Sequence, residues 1–141
     1  MIVAWLLACT PAQPLAGPGY DPKEGLLIEA DTLVAAVTYA EIARGQRSAF
    51  DDHVDAIVEQ TEVSGGFVAR SLRGELAGRE VWTLTVWEDE ESMAAFAASD
   101  AHLAAMGAAH EVTEQFDAAY WTLDASEMPV SWDDALLRLE E

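Results

Sequence analysis

The pattern of apolar and polar residues predicts four β-strands, all of them after residue 30. Residues 31–43 (DTLVAAVTYAEIA) are apolar and rich in β-branched side chains, and residues 79–89 (REVWTLTVWED) have the clearest strand pattern in the chain. Residues 67–76 alternate between apolar and polar positions, and residues 116–125 (FDAAYWTLDA) form the last predicted strand.

The strand at residues 67–76 is expected to present different side chains on its two faces. Its alternation places Phe67, Ala69 and Ser71 on one face and Val68, Arg70 and Leu72 on the other. A turn signal, Ala77-Gly78, follows this strand. The strand and its successor are therefore predicted to form an antiparallel hairpin.

Helical periodicity appears in the segment between the first two strands. Residues 46–62 carry apolar side chains at helical spacing, with acidic side chains on the opposite face. Ser64-Gly65-Gly66 then breaks the pattern. The segment is predicted to be an amphipathic helix that packs on a sheet.

Helix caps mark two further helical segments after the third strand. Asp89 can cap a helix that begins at Glu90 and directs Met93, Phe96 and Ala97 inward. Ser99 or Asp100 can cap a second segment over residues 101–111. A short terminal helix, WDDALLRLEE, follows Ser131.

The predicted order β-α-β-β-α-β is that of an α+β, ferredoxin-like fold. This fold has a four-stranded antiparallel sheet with its helices on one face. Trp82, Trp87 and Trp121 supply large apolar surface on the strands. We expect a homodimer that buries the uncovered faces of two sheets in one barrel.

The stretch VWTLTVWEDEESMAAFAASDAHLAAM, residues 81–106, resembles the antibiotic biosynthesis monooxygenase (ABM) superfamily. The shared features are a strand that ends in Trp87, an acidic helix cap, Phe96, and a Ser-x-Ala-His-x-x-x-Met segment from Ser99 to Met106. PVSWDDALLRL, residues 129–139, is similar to the closing segment of some members. The resemblance covers about residues 30–139 and implies a dimeric α+β barrel.

The resemblance also implies a pocket between helices and sheet, where some members oxidise phenolic substrates without a cofactor. In that case His102 is the candidate catalytic base, because imidazole titrates near neutral pH. The candidate pocket-lining residues are Tyr39, Trp82, Trp87, Phe96 and Met106. The alternative is a non-catalytic dimeric domain that binds a small ligand or simply assembles, with these side chains in the core or in a dimer contact. The alanine-rich helices fit either a filled or an open interior.

Haem chemistry is not expected, although a haem-degrading branch of the superfamily exists. Aligned on Ser99-Asp100, the tryptophan and the ligating histidine of that branch fall on Phe96 and Met106, which lack the indole and the imidazole. His53-Val54-Asp55 matches a His-x-Asp pair, with His110 further on. On a predicted helix, however, residues i and i+2 point apart, so no metal site is expected. We expect no cofactor.

The first residues, MIVAWLLACT, predict a localisation signal rather than a part of the folded domain. Leu6-Leu7-Ala8-Cys9 resembles a bacterial lipobox, which implies a signal at residues 1–9 and a lipid on Cys9. Residues 10–29 are rich in proline and glycine and predict a tether to an ABM-like domain at residues 30–141. The protein would then be a lipoprotein of the cell envelope that meets the membrane only through its anchor. The alternative is an incidental cysteine on a disordered tail of a cytoplasmic protein.

Charge and cysteine content exclude several classes of partner and site. With 26 acidic and 7 basic residues the net charge is −19, which repels nucleic-acid backbones and anionic membrane surfaces. The single cysteine excludes an intrachain disulfide and a cysteine-based zinc site. A small organic molecule is the remaining class of ligand.

Overall fold

The computed structural model describes residues 12–75 and 78–141. The elements, in chain order, are β1 (Tyr20–Asp21), β2 (Gly25–Leu26), β3 (Thr32–Ile42), α1 (Arg47–Glu62), β4 (Phe67–Gly74), β5 (Glu80–Trp87), α2 (Glu90–Ala97), α3 (Asp100–Val112), β6 (Thr113–Asp124), a 3₁₀ turn (Ala125–Glu127) and α4 (Trp132–Glu140). No helix in this part of the chain is both long and apolar enough to cross a membrane.

Strands β3 to β6 form the predicted antiparallel sheet, in the spatial order β4-β5-β3-β6. The two long inner strands, β3 and β5, pair over their whole common length, from Val34 opposite Trp87 to Glu41 opposite Glu80. The ferredoxin-like fold predicted from the sequence is therefore confirmed. The hairpin predicted for β4 and β5 is also present.

Side-chain caps start the helices that follow β5. The Asp89 carboxylate accepts a hydrogen bond from the Ser92 backbone N–H at 2.7 Å. The Ser99 hydroxyl accepts one from the His102 N–H at 3.3 Å, so Ser99 rather than Asp100 caps α3. Each cap satisfies a backbone donor that the first helical turn leaves free. Because Ser99 fixes the start of α3, it also fixes the position of His102 on the first turn.

A β-bulge in β4 changes the faces predicted for that strand. The pairing register with β5 shifts between Phe67 and Ala69. The extra residue places Phe67 on the same face as Arg70 and Leu72, where it packs with Trp87. Strict alternation had placed Phe67 with Ala69 and Ser71, and Val68 with Arg70 and Leu72. That prediction is wrong for Phe67 and for Val68, which packs in the same buried cluster as Ala69.

One face of the sheet is covered by α1, α2 and α3. At one end of this face a small apolar cluster of Val34, Phe67, Trp87 and Phe96 joins the sheet to α2. The Trp87 and Phe96 ring centroids are 4.9 Å apart. This cluster closes one end of the space between the sheet and the helices.

The opposite face of the sheet is covered over its centre by the chain itself. Leu33, Ala35 and Val37 of β3 are fully buried there, in one cluster with Tyr20 and with Ala135 of α4. The sequence analysis assigned the burial of this face to a second subunit. The chain's own N-terminal segment and last helix remove that apolar surface from water instead.

Residues 12–20, predicted to lie within a tether, run along the outer edge of β4. Backbone hydrogen bonds join Gln13 to Leu72 (2.8 Å), Ala16 to Arg70 (3.1 and 3.0 Å) and Gly19 to Val68 (2.9 Å). A side chain at Gly17 would collide with the carbonyl oxygen of Val68. The outer edge of β4 therefore has backbone hydrogen-bond partners in this segment. The packed structure accordingly begins before residue 30. The predicted signal, including Cys9, lies outside the described residues.

Buried Ser71 links the N-terminal segment, β4 and α4. Its hydroxyl donates to the Gln13 carbonyl oxygen at 2.6 Å and accepts from Trp132 Nε1 at 3.0 Å. Ser71→Ala removes both hydrogen bonds of this buried residue, and we expect the free energy of unfolding to fall by about 1–3 kcal/mol. Urea denaturation measures this change. Exposed Ser126→Ala is the control, expected to stay within about 0.5 kcal/mol of the wild type; equal stability of all three proteins would contradict the role of Ser71.

Candidate functional site

A cavity of about 480 Å³ lies between the sheet and helices α1 and α3. This volume is within the range of small-molecule sites. On the sheet side its wall consists largely of small side chains, among them Ala36, Thr38 and Ala40 of β3. On the helix side Ala105 and Ala109 of α3 are equally small. The space exists because small residues face each other across the two layers.

His102 forms part of the helix wall, on the first turn of α3. Its ring meets the Phe96 ring edge-on, with centroids 5.3 Å apart. Burial lowers the pKa of His102 from its ordinary value of 6.5, and the nearby Ala97 backbone opposes the shift. Neutral imidazole is therefore the dominant form at pH 7. The Nδ1 atom is shielded from solvent and has no hydrogen-bond partner among the described residues.

Two threonine hydroxyls lie on the sheet wall. Thr38 of β3 and Thr83 of β5 are directly opposite in the register, and their Oγ1 atoms are 2.5 Å apart. The neighbouring Thr85 hydroxyl accepts a hydrogen bond from Trp87 Nε1 at 3.0 Å. The sheet wall thus combines apolar surface with a short polar strip.

Trp87, Phe96 and Met106 line the cavity, as the sequence analysis proposed for these positions. Trp87 is fully buried, and its ring is also 5.4 Å from the Phe67 ring. Met106, on α3, is exposed. Trp87 and Phe96 are part of the cluster that closes one end of the cavity.

Tyr39 and Trp82 lie on the opposite face of the sheet, so their assignment to the pocket is wrong. They pair across β3 and β5, and their ring centroids are 5.5 Å apart. Strand alternation is the reason, since Thr38 and Thr83, one position away, face the cavity. The Tyr39 hydroxyl donates to Glu80 Oε1 at 2.7 Å, and burial together with Glu80 raises the pKa of Tyr39 to about 12.

The other two histidines, His53 and His110, lie on different helices, α1 and α3. His53 lines the cavity from α1, whereas Asp55 and His110 are exposed. Within residues 12–75 and 78–141 no three His, Cys, Asp or Glu side chains are grouped as they would be in a metal site.

The sequence analysis missed several polar residues of the cavity wall, among them Thr38, Thr83 and Arg70. Arg70 Nη1 contacts Thr61 Oγ1 at 3.3 Å and forms an ion pair with Glu62, which ties β4 to the end of α1. The two threonines could have been found from strand alternation, because each lies on the same face of its strand as the residues two positions away, which include small side chains. The sequence analysis considered mainly aromatic side chains on the strands and therefore overlooked the threonines.

Filling the cavity tests whether it is a binding site. Ala36→Leu adds three carbon atoms to the sheet wall, and we expect it to weaken binding of 2-naphthol, used as a small aromatic probe, about tenfold or more. Stability is expected to be kept or raised, because the added carbons occupy empty space. Isothermal titration calorimetry measures the affinity. Ala104→Leu, the same change at an exposed site of α3, is the control; equal affinity for the two variants would contradict binding in the cavity.

Comparison with known families gives one match to a family profile. The profile described as antibiotic biosynthesis monooxygenase matches residues 33–119, which is more than half of the chain. The matched residues run from the start of β3 to the middle of β6 and include the whole of α3. No curated protein sequence matches this chain.

Several solved structures share the fold at low sequence identity. A protein from Shewanella oneidensis is 17% identical with a TM-score of 0.59, over 69% of this chain and 95% of its own. A protein from Nitrosomonas europaea is 11% identical with a TM-score of 0.61, over 74% and 100%. SnoaB, a cofactor-independent oxygenase from Streptomyces nogalater, is 17% identical with a TM-score of 0.54, over 67% and 94%.

Proposed function

We propose that this chain, which belongs to the antibiotic biosynthesis monooxygenase family, is a cofactor-independent monooxygenase that acts on a small phenolic substrate. The observation that carries the proposal is the apolar cavity of about 480 Å³ with His102 in its wall. The similar fold of SnoaB, itself a cofactor-independent oxygenase, supports the same reaction class.

His102 supplies the proton transfer that such a reaction needs. An electron-rich phenol reacts with O₂ once it has lost its proton, and a neutral imidazole can accept that proton. Burial favours the neutral form of His102 by lowering its pKa.

The overall reaction is balanced without an external reductant. A substrate SH₂ reacts with O₂ to give SO and H₂O, so one oxygen atom enters the product and the other leaves as water. The substrate itself supplies the two hydrogens and the electrons. The protein binds and orients the phenol against a largely apolar wall and accepts its proton.

Oxygen consumption under metal-free conditions tests the proposal. Chelator-treated protein is mixed with a panel of hydroquinones and hydroxynaphthalenes, and products formed under ¹⁸O₂ are analysed by mass spectrometry. We expect consumption above the spontaneous rate, with one ¹⁸O atom in the product. A rate equal to the spontaneous one across the panel would contradict the enzyme and favour the alternative, a non-catalytic ligand-binding domain.

We further propose that the protein is a homodimer in which the second copy packs on β6 and α3. The supporting observation is a group of exposed large apolar side chains there: Leu103 (56% exposed), Met106 (37%), Phe116 (44%) and Tyr120 (61%). Strand β6 is outermost in the sheet, and in the described part of the chain no strand pairs with its outer edge. Light scattering tests this proposal: the wild type should have twice the monomer mass, and Tyr120→Glu should lower it. A monomeric wild type would contradict it.

Attachment to the cell envelope through a lipid on Cys9 is also a proposal, supported by the Leu-Leu-Ala-Cys pattern. Expression of the full chain in a bacterial host, followed by intact-mass measurement, tests it. The expected product begins at Cys9 and carries the mass of a lipid. A product of unmodified mass would favour the cytoplasmic alternative.

A further inference from the structure

The polar groups of the cavity occur on two opposing layers. The Thr38–Thr83 pair is on the sheet wall, at the centre of two inner strands. His102 is on the helix wall, at the start of α3. Much of the lining around and between these groups is apolar, with Ala36, Val54 and Ile57 among the lining residues. A ligand that fills the cavity therefore meets hydrogen-bonding groups on two different walls.

The Thr38–Thr83 pair has hydrogen-bonding capacity left over. Each hydroxyl has one hydrogen to donate and two lone pairs. Within the pair one O–H is used, so the other O–H remains free, and so do several lone pairs. Among the described residues neither hydroxyl has another hydrogen-bond partner. Both side chains are half-buried and line the cavity, where a ligand atom can reach them.

We propose that the Thr38–Thr83 pair binds a second oxygen of the substrate, at the far end from the hydroxyl that faces His102. This inference rests on the proposed function for the site and narrows its substrate class. The substrate is then a flat aromatic molecule with an oxygen substituent at each end, rather than a simple monophenol. Thr38 and Thr83 are specificity-determining residues in this account, and His102 remains the residue that accepts the proton.

The physical reason is the cost of an unpaired hydroxyl in an apolar cavity. A ligand that fills the space but lacks the second oxygen displaces water from the threonine pair without supplying a new hydrogen-bond partner. Sites built to hydrogen-bond a substrate hydroxyl discriminate against the analogue that lacks it for this reason. The threonine pair should therefore favour the doubly oxygenated ligand.

A matched ligand pair tests this assignment directly by binding. 2,6-Dihydroxynaphthalene and 2-naphthol share a ring system and differ only in the second hydroxyl. Isothermal titration calorimetry without oxygen prevents turnover during the measurement. We expect the wild type to bind the dihydroxy compound about tenfold more tightly, the ratio that one net hydrogen bond gives.

Isosteric variants assign the preference to the pair. Thr83→Val and Thr38→Val keep the side-chain volume and remove a hydroxyl, so each should reduce the preference to less than threefold, in part by raising the affinity for 2-naphthol. Thr83→Ser keeps a hydroxyl and should retain the preference. Thr122→Val, on exposed β6, is the control and should behave as the wild type. Circular dichroism checks that each variant is folded.

The outcomes separate this inference from the oxygenase proposal. A preference that disappears in the valine variants supports the role of the pair, even if no ligand is turned over. Equal binding of both ligands by the wild type overturns it, even if the protein consumes oxygen with them. Failure of both to bind at millimolar concentration, or a preference retained in both valine variants, also overturns it.

Discussion

Replacement of His102 by alanine is expected to lower kcat/KM for the phenolic substrate by about 10²- to 10⁴-fold. This is the range in which a positioned general base contributes to a reaction. The imidazole borders the cavity and is favoured in its neutral form by burial, so it can take a proton from a bound hydroxyl. Steady-state oxygen consumption across substrate concentrations separates an effect on kcat from one on KM.

Two further variants separate proton transfer from packing. His110→Ala removes an exposed imidazole at the other end of α3 and should leave kcat/KM within about twofold of the wild type. His102→Gln keeps a polar side chain of similar reach but no basic nitrogen, and should be nearly as slow as His102→Ala. A glutamine variant with wild-type activity would show that His102 only packs or orients.

The pH dependence follows from the same residue. Since burial lowers the pKa of His102, the cationic form becomes dominant only below its ordinary value of 6.5. Cationic imidazole cannot accept a proton, so kcat/KM should decrease toward acidic pH with a midpoint below pH 6.5. The decrease should be absent in His102→Ala. An acidic limb centred above pH 6.5 would contradict the assignment.

Replacement of Trp87 by alanine is expected to cost about 3–5 kcal/mol of the free energy of unfolding. Trp87 is fully buried, and its ring packs against Phe67 at 5.4 Å and Phe96 at 4.9 Å. Its indole N–H also donates to Thr85. Because the cluster joins β4, β5 and α2, no single neighbour can move in to fill the space.

Urea denaturation monitored by circular dichroism measures this loss. Trp82→Ala is the matched control, since Trp82 is half-buried on the opposite face of the same strand. It should cost clearly less than Trp87→Ala. Equal losses for the two variants would contradict the account of the cluster.

The element order was predictable because each element carries its own local signal. Apolar, β-branched residues mark β3 and a strand pattern marks β5, and the side chains of Asp89 and Ser99 cap the helices that they were predicted to start. The ferredoxin-like fold then follows from order and handedness alone. These features depend on residues close together in the chain, where the pattern is informative.

It was harder to predict which face of the sheet each side chain occupies, because one inserted residue in a strand reverses the alternation of its faces. The bulge beside Phe67 depends on pairing with β5, which the alternation within β4 does not reveal. The position of Tyr39 follows from alternation once the helix-covered face is known. Before that, an aromatic residue in the middle of β3 fitted the pocket and the opposite face equally well.

The cavity and the packed N-terminal segment could not be predicted for a different reason. Whether Ala105 and Ala109 close on the sheet or leave a space depends on the distance between layers, which larger side chains elsewhere determine. The proline- and glycine-rich composition of residues 12–20 excludes helix, but it permits an edge segment that pairs with β4. The composition alone did not distinguish a segment that pairs with the edge of β4 from a free tether.

The central claim is that the space between sheet and helices is the substrate site. A crystal structure of the full chain soaked with 2,6-dihydroxynaphthalene without oxygen tests it most directly. The account predicts the ligand inside the cavity, with one hydroxyl at the His102 ring and the other at the Thr38–Thr83 pair. A ligand bound only elsewhere on the surface, with the cavity closed by side chains, would contradict it.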